Sequence, residues 1–424
     1  MTSDLTARLQ AFRRDDSIQA AYELISALRA AGRAEEAVAL LAATAERAMP
    51  PIWSAQLGIC AHVLGQNRIS IVLLERALAV LTEDEARMAC MVDLAAAKFA
   101  TGLYHQAHPI YRQLHERRWL AAQWRHLSGG ADDYWWAPFA DRLLVDQPVE
   151  GRRIMLVHDQ GGFGDLFQLV RYVDELRREG AAQIHLSAQT EVADLVATKT
   201  GVVVTNGLPP LTDWDLVCPL FSLFARYQAH PYVPSWPRPY LSAPPSASPP
   251  PSLPASGRPK VGVIWRSASR ARHEPYRSMP LSALAPVLDY GGVDWLSLQV
   301  DARAEDEAPL LARLGVVPLG DQLASFADTA RLLERIDLLI SIDSAPVHLA
   351  GALGRCGRCC ARRRTIDGVM IRASPPGTRR RACSARNGWE TGRTSSRRCR
   401  TRCGDSDKGG GLRRETPSTI ASAW

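Results

Sequence analysis

The 424-residue sequence has no run of about 18 uninterrupted apolar residues, the length a helix needs to cross a bilayer. Its start, Met1-Thr2-Ser3-Asp4-Leu5, lacks a basic stretch followed by an apolar one, so no secretory leader is predicted and a cytoplasmic location is expected. Cysteine is scarce before residue 356. Cys60, Cys90 and Cys218 stand alone there, which excludes a disulfide framework and suits a reducing compartment. A basic surplus is missing from the same region. The chain holds 51 Lys and Arg against 44 Asp and Glu, but residues 355–424 take 18 of the former and 5 of the latter, leaving residues 1–354 at a net charge of −6. Nucleic acid is therefore not the expected partner of the folded part. What remains is an ordinary hydrophobic fraction of 46% and enough length for two or three cores.

Between residues 17 and 118 the apolar positions recur at helical spacing, with no β-rich runs between turn residues. Three segments share one shape: a helix rich in small residues, a turn at Gly32, Gly65 or Gly102, and a second helix starting at Ala34, Asn67 or Tyr104. The glycines are spaced 33 and 37 residues apart, bracketing the roughly 34-residue period of tetratricopeptide repeats. Glycine suits such a turn because a helix commonly ends on a left-handed residue. Ala37, Ala77 and Ala107 would let the paired helices approach closely. Residues 1–130 are thus expected to form a tetratricopeptide-like solenoid with a groove for a protein or peptide, or else a plain helical bundle. From Trp119 to Pro148 the chain becomes aromatic and irregular, with Trp119, Trp124, Tyr134, Trp135 and Trp136 close together. These fit either a sugar-stacking platform or packing at a domain seam, and seams commonly bury such rings.

From Arg153 the pattern changes to strand–helix alternation, which implies a parallel sheet with helices on both faces. Ile154–His158, Gln183–Ser187, Val202–Val204 and Asp213–Val217 read as strands, and Asp165–Arg178 and Glu191–Thr198 as helices. Residues 244–259 are rich in proline and serine and read as an extended linker. The alternation then restarts with strands at Lys260–Trp265, Trp295–Leu298 and Leu338–Ser341 and helices at Leu281–Leu288 and Ala345–Leu353. Two Rossmann-like lobes are predicted, over 131–242 and 260–355, joined by a linker at 243–259.

Two constellations carry candidate chemistry. Gly161, Gly162 and Gly164 form a loop between the first strand and helix, where backbone N–H groups can face a ligand. Asp165 follows them, either as a helix cap or as a chemical group. In the second lobe Asp343 ends a strand, and Ser344, Ala345, Pro346 and Val347 open a helix that a diphosphate can approach. His348 lies one turn inside, as a structural histidine or a ligand contact.

The glycine loop with Asp165, Arg171-Tyr172, Val261–Trp265, Tyr276–Leu281, Leu296–Gln299, Phe326–Thr329 and Asp343–Gly354 occur in this order. Together they resemble bacterial tetratricopeptide-repeat glycosyltransferases, related to the lipopolysaccharide heptosyltransferases of glycosyltransferase family 9 and more distantly to O-linked N-acetylglucosamine transferases. The resemblance implies a two-lobed GT-B fold and a metal-independent, inverting transfer from a nucleotide-sugar donor, with no cofactor. It casts Asp165 as general base. It makes Asp343 with Ser344, Ala345, Pro346, Val347 and His348 the donor site, and puts Arg266 and Arg277 where a cation can offset charge on the leaving diphosphate. A surface salt bridge is the other reading of both arginines. The sequence departs from the family at Asp159, usually glutamate, and at Arg266–Ala268, usually a small polar turn.

After Arg355 the family continues with an apolar strand, a tryptophan-rich loop and a closing helix. Residues 356–424 instead bring Cys356, Cys359, Cys360, Cys383, Cys399 and Cys403 among arginines, without apolar periodicity. Moving the reading frame by one nucleotide over Cys356–Cys360, Pro376–Ala385 and Thr394–Cys403 recovers a strand, an aromatic loop and a helix in order. A frameshift therefore accounts for the tail, which is expected to be disordered and to leave the second lobe incomplete and inactive. A basic tail for RNA or anionic lipid and a zinc-binding end are the alternatives. At the level of function, the alternative is a non-catalytic repeat scaffold beside a degenerate transferase.

Overall fold

A computed structural model describes residues 3–127, 130, 134–158, 161–207, 210–227, 239–245, 250–267, 278–355 and 357–359. Helix α1 (Ser3–Arg14) precedes three helix pairs: α2 (Ile18–Ala30) with α3 (Ala34–Ala45), α4 (Pro51–Val63) with α5 (Asn67–Leu78), and α6 (Asp84–Ala100) with α7 (Tyr104–Leu114). Each pair turns in the same way. Gly32, Gly65 and Gly102 have φ of 72°, 74° and 80°, and the next residue's N–H reaches back to Leu28, Ala61 and Lys98 respectively. That is the Schellman closure, which satisfies carbonyls orphaned at a helix end. Ala37, Ala77 and Ala107 are fully buried between the paired helices.

The segment after Trp119 is more regular than its aromatic content suggests. Arg117–Leu127 forms helix α8, because Trp119, Leu120 and Ala122 share a buried face while Arg117, Arg118 and Arg125 point outward. Trp119 packs with Met88, Met91 and Leu114, Trp136 with Leu120 and Leu143, and Trp135 against Met155 and Val217. Trp135 and Trp136 thus pack at the seam between the helical array and the first lobe, whereas Trp119 packs inside the array. A second seam lies between α7 and the first lobe: Tyr111 meets Phe224 edge-on at 4.9 Å, and the His115 Nδ1 lies 3.0 Å from the Ser222 hydroxyl.

The first sheet contains β1 (Arg153–Val157), β2 (Gln183–Ala188), β3 (Val203–Asn206) and β4 (Leu216–Pro219), all parallel in the order β3-β2-β1-β4. Its connecting helices are α9 (Phe163–Leu169), α10 (Val173–Arg178), α11 (Thr190–Val196) and α12 (Leu220–Tyr227). The single helix expected over 165–178 is broken by a 3-10 turn at Val170–Tyr172. There the buried Arg171 guanidinium donates to the Tyr240 hydroxyl at 2.9 Å, and that hydroxyl donates to the Phe167 carbonyl at 2.9 Å.

The second sheet contains β5 (Lys260–Ile264), β6 (Asp294–Ser297), β7 (Val317–Pro318), β8 (Leu338–Ser341) and β9 (Gly357–Cys359), in the parallel order β7-β6-β5-β8-β9. Helices α13 (Ala285–Leu288), α14 (Glu307–Arg313), α15 (Phe326–Leu333) and α16 (Ala345–Ala352) connect it. Strand β9 corrects the expectation that the tail leaves the second lobe without a last strand. Parallel pairing needs only backbone N–H and C=O groups, and Gly357–Cys359 supplies them beside β8. The rest of the cysteine-rich tail lies outside the described residues.

One apolar core runs from Phe99 and Tyr111 of the helical array through the first sheet to Val347 and Leu349 of α16. Phe326 meets both Phe163 and Phe167 edge-on at 5.2 Å, so α9 and α15 share that core across the lobes. No helix among the described residues is long and apolar enough to cross a membrane.

Candidate functional site

In open parallel sheets a ligand crevice forms at the carboxyl ends of the strands, where the strand order reverses. In the first sheet that point lies between β1 and β4. The chain leaves β1 through the glycine loop and enters α9. Gly161 has φ 78° and sits so close to Phe221, at the start of α12, that a Cβ would lie 2.7 Å from its ring. In the second sheet the order reverses between β5 and β8, whose ends carry Arg266 and Asp343.

The two switch points face each other. A Cβ on Gly164 would lie 2.7 Å from the His348 ring and 3.3 Å from the Ala345 Cα, so the starts of α9 and α16 are in contact. Only glycine permits this approach without displacing backbone. Asp165 follows at once. Its Oδ2 accepts the Gly162 N–H at 2.7 Å, which caps the helix and leaves the carboxylate only partly exposed. Burial among the surrounding groups raises its proton affinity above the ordinary carboxylate range. The Gly162 N–H, His348 and His158 work against that rise, and Asp343 adds to it. A carboxyl with raised proton affinity in a crevice is a candidate acid–base group.

Across the contact, Asp343 and His348 are both buried, with Nε2 and Oδ1 3.0 Å apart. The carboxylate thereby fixes the imidazole's orientation. Ser344 caps α16 by its backbone position, and its hydroxyl lies 3.1 Å from the Ser341 hydroxyl. Ala345, Pro346 and Val347 form the helix's first turn; Pro346 has no N–H and the Val347 N–H donates to the Ser344 carbonyl at 3.1 Å, so Ala345 carries the remaining backbone donor of the three.

Arg266 is held differently from its sequence-based role. Its Nη1 donates to the buried Glu307 at 2.9 Å, it pairs with Asp301 at 3.3 Å, and its backbone N–H donates to the Gln299 side chain at 3.0 Å. Trp265 Nε1 donates to the same Glu307 oxygen at 2.8 Å. The guanidinium is a strut under the second lobe as it stands. Arg277 lies outside the described residues, as does Asp159. The structure thus brings Gly161, Gly162, Gly164, Asp165, Asp343, Ser344, Ala345 and His348 to one seam, and leaves Arg266 in an ion-pair cluster at the end of β5.

Two polar residues at this seam escape the sequence reading. His158 follows β1, with both ring nitrogens buried and without a side-chain hydrogen-bond partner among the described residues. Gln168 lies within α9, 1% exposed, with neither side-chain amide atom hydrogen-bonded among the described residues. The available signal was positional: Gln168 interrupts an apolar run one helical turn after Asp165.

No protein-family model matches the chain. Protein FlbA of Caulobacter vibrioides is 35% identical over 100 residues, which is 23% of this chain and 17% of that protein. The chain thus spans less than a fifth of that relative's length. Among solved structures, a family 9 glycosyl transferase from Veillonella parvula aligns over 50% of this chain and 80% of its own, at 14% identity and a TM-score of 0.35. The iron-containing dodecameric glycosyltransferase TibC from enterotoxigenic E. coli H10407 aligns over 50% and 58%, at 13% and 0.37. A Thermobaculum terrenum O-GlcNAc transferase aligns over 83% and 78%, at 15% and 0.28.

Proposed function

We propose that the chain is a glycosyltransferase that moves a sugar from a nucleotide-sugar donor to a hydroxyl of a protein, glycan or lipopolysaccharide acceptor. The observation that supports this is the pair of facing switch points, with one carboxylate of raised proton affinity, Asp165, set against a helix start backed by Asp343 and His348. Asp165 removes the acceptor's hydroxyl proton as that oxygen attacks the anomeric carbon. The bond from that carbon to the diphosphate breaks, and the leaving group departs with the electron pair toward the first turn of α16. Attack opposite the leaving group inverts the anomeric centre. A metal plays no part in this scheme, and the helical array serves as a tetratricopeptide-like platform for a protein or peptide partner.

A reading-frame change after Arg355 belongs to the same proposal. Backbone pairing of Gly357–Cys359 with β8 supports it, because the shifted frame places an apolar strand over those residues. The chain as it stands then turns over little or no substrate, whereas restoring the frame completes the second lobe. Resequencing that reproduces an intact frame through Trp424 overturns this part.

The test is a thermal-shift and turnover screen of UDP-, GDP- and ADP-sugars on the chain and on its frame-restored form. A donor at a hundred times its dissociation constant should add about 2.7 kcal/mol of stability. Asp165→Ala should abolish turnover in the restored form and leave that stabilisation in place. A non-catalytic scaffold is favoured by one observation, the engagement of Arg266 by Glu307 and Asp301. Binding without turnover in the restored form decides for it.

A further inference from the structure

Burying an amide or an imidazole without a hydrogen-bond partner costs stability, so such groups are rare inside folded proteins and call for a reason. Two of them flank Asp165. Gln168 sits among the buried Leu166, Phe167, Leu169 and Val170, yet its amide oxygen and nitrogen are both unsatisfied among the described residues. It lies three residues beyond Asp165 and four beyond Gly164, on the helix face that turns toward α16. His158 comes from the strand end on the other side of the glycine loop. Its ring lies 6.4 Å from that of Phe163, and its buried nitrogens meet the Gly162 backbone but hydrogen-bond no side chain among the described residues.

We propose that His158 and Gln168 are the hydroxyl-recognising residues of a neutral sugar subsite beside Asp165. This rests on the transferase reading and assigns the acceptor side of its seam. The chemistry selects the ligand class. An amide and a neutral imidazole each offer both donor and acceptor, the complement of hydroxyls on a sugar ring, and neither carries the charge that a phosphate or carboxylate would require. Burial lowers His158's proton affinity, with Asp165 and the Gly162 backbone opposing, and this keeps the ring neutral. Because Gln168 is closed off where α9 meets α16, a sugar engages it only as that seam opens.

The full chain with Gln168→Met and, separately, His158→Phe supplies the test. A residue whose polar atoms serve only a ligand should melt at the same temperature or higher once replaced by an apolar one of similar size. Saturation-transfer NMR with methyl β-D-glucoside, methyl β-D-galactoside and methyl α-D-mannoside should show binding to the unaltered chain. Each variant should weaken it at least about tenfold, the factor that a lost hydrogen bond to a buried group carries. A melting temperature lower by more than about 3 °C in both variants shows structural roles and overturns the proposal. So does the absence of glycoside binding to the unaltered chain, or its survival in the variants. ADP, UDP and GDP enter the same measurement separately. If glycosides behave as expected and no nucleotide binds, the donor half of the transferase reading fails while the subsite stands.

Discussion

Gly164 is the residue on which the meeting of the two lobes depends. Its φ is not in the left-handed region, so backbone freedom does not explain it. The reason is contact: an added methyl would meet the His348 ring at 2.7 Å and the Ala345 Cα at 3.3 Å. The ring can swing only by disturbing its 3.0 Å contact with Asp343, and the Cα cannot move without α16. Gly164→Ala should therefore cost about 1–3 kcal/mol, the usual range for overpacking, as read from a denaturant midpoint. It should also weaken any nucleotide-induced stabilisation, because the first turn of α16 is displaced. Gly291→Ala, where an added methyl meets nothing within 4 Å, is the control and should change neither.

Helix pairing makes a different use of glycine. An added methyl at Gly65 meets nothing within 4 Å, so its φ of 74° is the whole reason for glycine there, and Gly65→Ala should cost about 1–2 kcal/mol through backbone strain alone. Urea unfolding followed by helical circular dichroism checks it; an unchanged midpoint would show that the turn relaxes to a right-handed form. Such turns are local, which is why the starts at Ala34, Asn67 and Tyr104 were legible in the sequence to the residue. Seven strands were legible to within a few residues because buried parallel strands read as continuous apolar runs, whereas the short β7 and β9 were not read at all. Helix α8 was not, since its tryptophans obscured the spacing of Trp119, Leu120 and Ala122. Nor was the 3-10 turn at Val170–Tyr172, which no glycine or proline marks and which the distant Tyr240 stabilises. The candidate site was legible in halves. Asp165 and Asp343 each follow a strand end, but the contact of Gly164 with His348 is tertiary, and a missing partner for His158 or Gln168 leaves no trace in sequence.

At the scale of the molecule, the helical array and both sheets share one apolar core, so the seam between α7 and α12 transmits stability in both directions. Two histidines are buried in that seam. Burial lowers the proton affinity of His115 to a pKa of about 3 and that of His108 to about 4, with His105 adding to the latter. Both values lie below the 6.5 of an unfolded histidine, so the unfolded chain binds more protons once the pH drops under 6.5. The stability these neutral rings permit is complete above that pH and is lost progressively as the pH falls toward 4 and then 3. His115 alone accounts for a loss on the order of 4 kcal/mol by pH 3, a large share of the 5–15 kcal/mol typical of folded domains. His115→Asn keeps a polar partner near the Ser222 hydroxyl and removes the titration. It should move the acid-unfolding midpoint, followed by tryptophan fluorescence, to lower pH even if it loosens the packing at neutral pH. A midpoint that stays in place would put the acid sensitivity elsewhere, because no other change at this position separates the proton from the ring that carries it.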